Sequence, residues 1–421
     1  MMKQVCRFSS RIVLNHPAAS VFFIALIARI LTVVYVSWFH HGTVFPDDQT
    51  YMSMVRDFAH YQTAEWSDYQ HWLWDVSASF LLPAGLLSRA LGFHYFLVLF
   101  LSALAGSCLT GLATRLLSNY VSATISFFCG VTLALLPSQV LWSSLLLKDS
   151  YIAMAFVGLT LIIRWWSDKK NSHFIYGVLA IVALLLYVER IRLHSLMVVC
   201  IAFVLTALLF RSSLYFSRLV VACLLMIFVP WAAWGGPAGI NYFRTLSGGM
   251  EDQRLAGAIG ANTAIITTPP AIITTPPSPN TTPNTTPNTN ILNQLEYLPA
   301  GLKVMIVDPT PSQLSQSKSL WVAFAEHIIW YPALFLAMFA IARRRKWPME
   351  LLFAVILWFG LASMWGLVEG NLGTAFRHRT EFVWIVFLFA GIGVQQLVDD
   401  RNKISLQRSL TLENNVTQPL S

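Results

Sequence analysis

Charge is scarce in this chain. Only 11% of its 421 residues are Asp, Glu, Lys or Arg, against 56% apolar. With a mean hydropathy of +0.59, that excludes a string of soluble domains, which need charged surfaces. Cysteine is scarce too. Of the five, Cys6 lies near the N-terminus and Cys108, Cys129, Cys200 and Cys223 lie in apolar runs, so none is left for the hydrophilic loops. A disulfide framework and a zinc site of paired cysteines are both excluded. No dense group of His, Asp and Glu stands at a metal-ligand spacing, so no metal is assigned, although outer carboxylates are compatible with a divalent cation. No ten-residue alternation of apolar and polar positions marks barrel strands. No cleavable leader is expected, because the first apolar run is too long and lacks a small-residue cleavage site.

What the chain does have is apolar runs of about 20 residues, the length an α-helix needs to cross a bilayer. The reading is an all-α polytopic membrane protein with about ten spans, at 18–39, 94–114, 121–140, 151–166, 174–188, 195–210, 219–235, 320–341, 349–367 and 380–397. With the N-terminus in the cytoplasm, Lys3, Arg7, Arg11, Arg115, Lys169, Lys170, Arg211, Arg218, Arg343 to Lys346, Arg401, Lys403 and Arg408 fall inside. That side is about threefold denser in basic residues than the other, as the positive-inside rule requires. The excess of basic residues, formally +8, is thus spent on topology and implies no nucleic-acid partner. The segment Val76 to Leu91 is apolar enough for a further span, but inserting it would move Lys169, Lys170 and the Arg343 cluster outside. It is expected to lie at the interface instead.

This topology divides the chain into a cytoplasmic tail (1–17), an N-terminal membrane module (18–235) whose first outer loop is 40–93, and an outer loop (236–319). A C-terminal membrane module (320–397) and a second cytoplasmic tail (398–421) follow. The outer loop holds a Thr/Pro/Asn repeat over 262–293, too rich in Pro for helix and too polar for a core, and is expected to be disordered. Asn280 and Asn284 begin N-x-T triplets, which matter only where glycosylation machinery exists.

The charges that remain are grouped, and the groups fall on one face. Asp47 and Asp48 open the first outer loop. Adjacent carboxylates raise one another's pKa, as a general base or a cation site would need, or they start the helix that follows. Lys148 and Asp149 lie between spans three and four, past Pro137, which should end or kink the third span. They form either an interfacial pair or a phosphate-binding cation held by its neighbour. Arg192 belongs to the very short turn Glu189 to His194. The last outer loop carries Glu369, Arg377, His378 and Arg379, and arginines placed outside against the positive-inside bias point to an anionic ligand or a headgroup anchor. Arg29 sits in the first span, where an unpaired charge is costly, so it must face protein or water.

In this order the set resembles the GT-C superfamily of membrane glycosyltransferases, which includes protein O-mannosyltransferases and aminoarabinose transferases. The matching features are Arg29 in the first span, Asp47-Asp48-x-x-Tyr51 at the start of the first outer loop, interfacial helices after it, Lys148-Asp149 entering a middle span, Arg192, and the basic stretch before the last span. The likeness covers roughly residues 18–210 and 349–397. Departures are Asp48 where Glu is commoner, a small outer region, the repeat and a modest span count. The resemblance implies an inverting transfer of sugar from a polyprenyl-phosphate donor to a glycan, lipid or protein acceptor. It places this on the periplasmic or extracellular side of a plasma membrane, the inner membrane in a bacterium. Asp47 or Asp48 would act as base, Lys148, Arg192, Arg377 and Arg379 would bind the lipid phosphate, and Tyr51, Asp149, Glu369, His378 and Arg29 would support them. No cofactor is required by the resemblance. A glycan polymerase or ligase, and a transporter or flippase of lipid-linked glycans, are the alternatives.

Overall fold

The computed structural model describes residues 15–168, 174–210, 295–316 and 319–416. Among these the chain is helical, without strands. Six helices are long and apolar enough to cross a membrane, or seven if one bent pair counts as a single span, which makes this a multi-pass membrane protein. They are α1 (Pro17–Phe39), α5 (Tyr95–Leu117), α8 (Asp149–Asp168), α12 (Ser319–Arg343), α13 (Met349–Val368) and α15 (Val383–Val416), with the bent pair α6 (Ala123–Leu135) and α7 (Pro137–Ser143). The runs expected as spans at 174–188 and 195–210 form the shorter helices α9 (Phe174–Glu189) and α10 (Leu193–Leu209). The expected span at 219–235 and the repeat at 262–293 lie outside the described residues.

Helices α5, α8, α13 and α15 form the inside of the bundle, and α1 and α12 present most of their surface outward. Phe23, Ile27 and Leu31 of α1 and Ile328 and Phe335 of α12 are exposed, as lipid-facing residues should be. Between α1 and α5 the first loop forms three helices: α2 (Pro46–Ala59), α3 (Asp68–Asp75) and α4 (Ala78–Leu91). Pro46 supplies the preset φ of a first helical residue. Ser67 and Gln70 form a capping box on α3, with the Gln70 amide donating to Ser67 Oγ at 3.3 Å and the Ser67 amide to Gln70 Oε1 at 2.9 Å. Helix α4 corresponds to the segment expected at the interface. It is shorter than a span, it packs on α2 with Phe80 against Tyr51, it buries Leu81 and Ala84, and it leaves Leu82, Leu86 and Leu91 exposed. Arg89 clamps it, with the guanidinium 4.0 Å from both the Phe58 and Tyr61 rings and a 2.6 Å bond to the Phe58 carbonyl.

The third span is broken where Pro137 predicts, and α6 and α7 meet at 58°. A break leaves carbonyls unpaired on one side and amides on the other. Arg29 serves the carbonyls: it donates to Ala134 O at 3.2 Å, Gln139 O at 3.4 Å, Ala25 O at 3.1 Å and Ser143 Oγ at 2.6 Å, fully buried. Glu326 of α12 serves the amides, accepting from the Ser138 amide at 2.9 Å and the Ser138 hydroxyl at 2.8 Å. Each charge sits at the helix end of opposite polarity. This holds α7 at a fixed angle and, with it, the segment that delivers Lys148 and Asp149.

Further along the chain, α11 (Leu298–Ile306) lies against α13 at a glycine-to-glycine contact. A Cβ on Gly301 would meet the Gly366 carbonyl oxygen at 1.9 Å, so the backbones touch there. The short helix α14 (Leu372–Arg379) follows α13, capped by Asn371, whose side chain accepts from the Gly373 amide at 2.8 Å. At the opposite end of the bundle Arg164 donates to Tyr120 Oη and Glu350 Oε1, both at 2.9 Å, tying the ends of α5, α8 and α13 together.

Candidate active site

Four loops that are distant in sequence meet at one end of the bundle. At their centre is Asp149, the first residue of α8 and fully buried. Its Oδ1 lies 3.1 Å from Arg192 Nη2 and 3.3 Å from His378 Nδ1, and its Oδ2 lies 2.9 Å from Arg377 Nε. The last of these contacts is an ion pair too skewed for a hydrogen bond. Arg377 reaches on to Asp47 Oδ2 at 2.6 Å. Arg192 also pairs with Glu381, whose other oxygen accepts from Trp365 Nε1 at 3.2 Å. His378 Nε2 lies 3.0 Å from Glu369, which takes a 2.5 Å bond from the Thr374 hydroxyl. The Trp365 ring stacks on His378 at 3.7 Å and 1°, with the Arg192 guanidinium 4.7 Å from the same ring. Buried charges survive only when paired in this way.

Three residues at the edge of this network differ from its interior. The Asp47 side chain is 55% exposed, the one carboxylate of the set open to solvent. The side chain of Lys148, half-buried beside it, makes no ion pair or hydrogen bond among the described residues. Burial and the nearby Arg192, only partly offset by Asp149, push the Lys148 ammonium down to about 7. Tyr51 lies one turn after Asp47 on the same helix face, with its ring edge-on to Phe80 at 5.2 Å. Burial raises the pKa of its phenol, so the hydroxyl keeps its proton.

The interior is tuned the other way. Burial opposes the charge on His378, but Glu369 on one nitrogen and Asp149 on the other outweigh burial and Arg192, and its pKa rises to about 9. Burial likewise opposes ionisation of Glu369, yet His378, Thr374 and Arg377 hold it below the ordinary carboxylate range. Burial works against Arg377 too, and Asp149 and Asp47 more than compensate.

Ligand atoms of Asp149, His378 and Glu381 lie within 4.8 Å of one another, a separation a divalent ion could bridge. The surroundings do not suit one, because Arg192, Arg377 and a protonated His378 already neutralise those carboxylates.

The structure thus brings together Asp47, Tyr51, Lys148, Asp149, Arg192, Glu369, Arg377 and His378, and it holds three of the expected site residues apart. Asp48 is buried and accepts from the amides of Val44 at 2.9 Å and Phe45 at 2.8 Å, which is the work of a helix start; burial pushes its carboxyl up despite those bonds. Arg29 closes the α6–α7 break, where its partners are carbonyls and a hydroxyl. Arg379 faces away from Asp149. It donates to the carbonyls of Asp308 at 2.5 Å and Val304 at 3.3 Å, approaches His327 Nε2 at 3.2 Å, and lies against the Trp330 ring at 5.2 Å. Burial lowers its pKa to about 10. Arg379 therefore fastens the stretch after α11 to α14. Two members of the network went unread in the sequence, Glu381 and Trp365. Glu381 carried a legible signal, being a carboxylate at the start of an apolar run, the same kind of signal that singled out Arg29.

Comparison with protein-family models, curated proteins and solved structures yields no match.

Proposed function

We propose that the protein is an inverting membrane glycosyltransferase that moves a sugar from a polyprenyl-phosphate donor to an acceptor on the non-cytoplasmic side, working as the GT-C enzymes it resembles do. The observation that carries this reading is the meeting of an exposed carboxylate, Asp47, with an unpaired cation, Lys148, at the mouth of a rigid charged network. Asp47 accepts the proton of an acceptor hydroxyl. The acceptor oxygen then bonds to the anomeric carbon from one face while the bond to the phosphate oxygen breaks on the other, and the electron pair leaves on the lipid phosphate. Lys148 offsets that growing charge, with Arg377 and Arg192 behind it supplying positive potential from fixed positions. Direct displacement at one carbon inverts its configuration. The polyprenyl tail stays among lipids, in keeping with a site at the end of a bundle of membrane helices. The topology expected from the basic residues puts this end outside, and ten spans remain the count that the hydropathy supports.

The test is to incubate the purified protein in liposomes with a polyprenyl-phosphate sugar and to identify the lipid product by phosphorus NMR. Polyprenyl monophosphate supports the reading. A pyrophosphate product from a pyrophosphate donor points to a polymerase or ligase.

The broken span favours a second reading, a flippase or transporter of lipid-linked glycans, since interrupted helices are common in transporters. Against it, the break is pinned from both sides, by Arg29 on the Ala134 carbonyl and by Glu326 on the Ser138 amide and hydroxyl. Movement of labelled lipid-linked sugar across the liposome membrane without cleavage would favour the transporter.

A further inference from the structure

The first outer loop carries a feature that the transfer chemistry leaves unused. Helix α3 is attached by one face only. Leu73 is buried, the Trp74 ring stacks on Phe58 at 4.7 Å, and Trp66, just before the helix, packs on Trp74 at 5.2 Å. The opposite face shows Tyr69 and Trp72, 63% and 58% exposed, with ring centroids 5.8 Å apart and planes tilted by 33°. Glu65, Asp68 and Asp75, close by in the chain, are exposed, as is His71, which lies against the Trp66 ring at 5.5 Å. The three carboxylates make no side-chain ion pair or hydrogen bond among the described residues.

The composition of this face separates it from the surfaces that meet lipid. The exposed positions of α1 and α4 carry no charge: they are aliphatic or aromatic, as Ile27, Leu31, Tyr35, Trp38, Leu82 and Leu86 illustrate. The α3 face alternates rings with acids and has no Lys or Arg, so an acyl layer would strand its charges and an anionic headgroup layer would be repelled. Two neighbouring rings with free acceptors beside them suit a saccharide. The axial C–H groups of a pyranose carry partial positive charge and settle on the negative ring faces, while its hydroxyls donate to the carboxylates.

We propose that the outward face of α3 is an acceptor subsite that binds an oligosaccharide bearing no negative charge. This deepens the glycosyltransferase reading and rests on it for the word acceptor, since it chooses a glycan over a lipid or a protein. The position of α3 adds a length requirement. Helix α2 carries Asp47 at its start and holds α3 near Phe58 at its end, roughly 16 Å away at 1.5 Å per residue. A glycan of several units is needed to reach both, and a monosaccharide acceptor reaches Asp47 alone.

The experiment uses the full chain in nanodiscs of phosphatidylcholine. Neutral gluco-, manno-, galacto- and chito-hexasaccharides, with hexagalacturonate as the anionic control, are titrated while saturation-transfer NMR reads contact. The expected result is binding of at least one neutral hexasaccharide, no binding of hexagalacturonate, and affinity lower by about tenfold or more in Tyr69→Ala/Trp72→Ala. Absence of binding by all the neutral sugars, or equal binding by the double variant, would overturn the proposal. So would quenching of Trp72 fluorescence by brominated lipid, read as the difference between wild type and Trp72→Phe, because the occupant would then be the bilayer. Release of polyprenyl phosphate from the donor by the wild type is measured separately. If the wild type releases none, the enzymatic reading fails, whatever the binding result.

Discussion

Asp47 and Arg377 are 330 positions apart and meet at 2.6 Å. Arg377 uses its other side on Asp149 at 2.9 Å, so one guanidinium joins the solvent-facing carboxylate to the buried centre of the network. The planar fork of Arg can serve two carboxylates at once in fixed directions, and the single ammonium of Lys cannot.

Arg377→Lys should therefore keep the charge and lose the geometry. We expect kcat for donor cleavage to fall by at least about tenfold, with little change in the KM for donor. This effect is the signature of a positioning loss at the reacting centre. Unchanged kcat would show that charge alone suffices at this position.

Asp48→Asn should act on stability. An amide in place of the carboxylate cannot accept from the Val44 and Phe45 amides equally well, and loss of such a helix-start contact costs about 1 kcal/mol. A lower melting temperature with near-normal turnover per folded molecule is the expected outcome. An Asp48→Asn variant that melts like wild type but is inactive would return the catalytic role to this residue.

Arg379→Met should likewise leave the chemistry in place and loosen the segment it fastens. The carbonyls of Val304 and Asp308 lose their donor, at about 1–3 kcal/mol for buried groups left unpaired. Faster hydrogen exchange over 295–316, with the remainder of the bundle unaffected, would be the readout.

The network also predicts two pH effects. Lys148, with its pKa pushed down to about 7 mainly by burial, is charged below that pH and neutral above it. If it receives the donor phosphate, kcat/KM falls as pH rises through about 7, and Lys148→Arg, which stays charged, removes that limb. His378 is raised from 6.5 to about 9. A base with a raised folded pKa contributes stability that is complete below pH 6.5 and is lost as pH climbs through about 9. Lys148 works in the opposite sense in both proteins, so the readout is the difference: the melting temperature of wild type relative to His378→Gln should fall across that window.

Much of this arrangement was legible in the sequence because charge in an apolar chain is conspicuous. Asp47, Lys148, Arg192, Glu369, Arg377 and His378 were all marked by standing between spans, and the kink at Pro137 by proline chemistry. Direction was not legible. Successive helical residues turn by about 100°, so Arg377 and Arg379 on α14, two positions apart, leave on nearly opposite faces, and only Arg377 reaches Asp149. The same turn separates Asp48 from Asp47. Hydropathy gives Glu381 to the span at 380–397, where a carboxylate is conspicuous, whereas the helix starts only at Val383 and leaves Glu381 in the turn before it. The count of spans was limited for a related reason. Apolar runs at 174–188 and 195–210 satisfy composition, whereas the helices they form are shorter than the others.

The most direct measurement is the rate of polyprenyl phosphate release from a polyprenyl-phosphate sugar in liposomes, with wild type and Asp47→Asn side by side. The account predicts turnover in the wild type and a loss of about 10²-fold or more in Asp47→Asn with an unshifted melting temperature. Equal rates in the two proteins, or no release by wild type with any donor sugar, would contradict it.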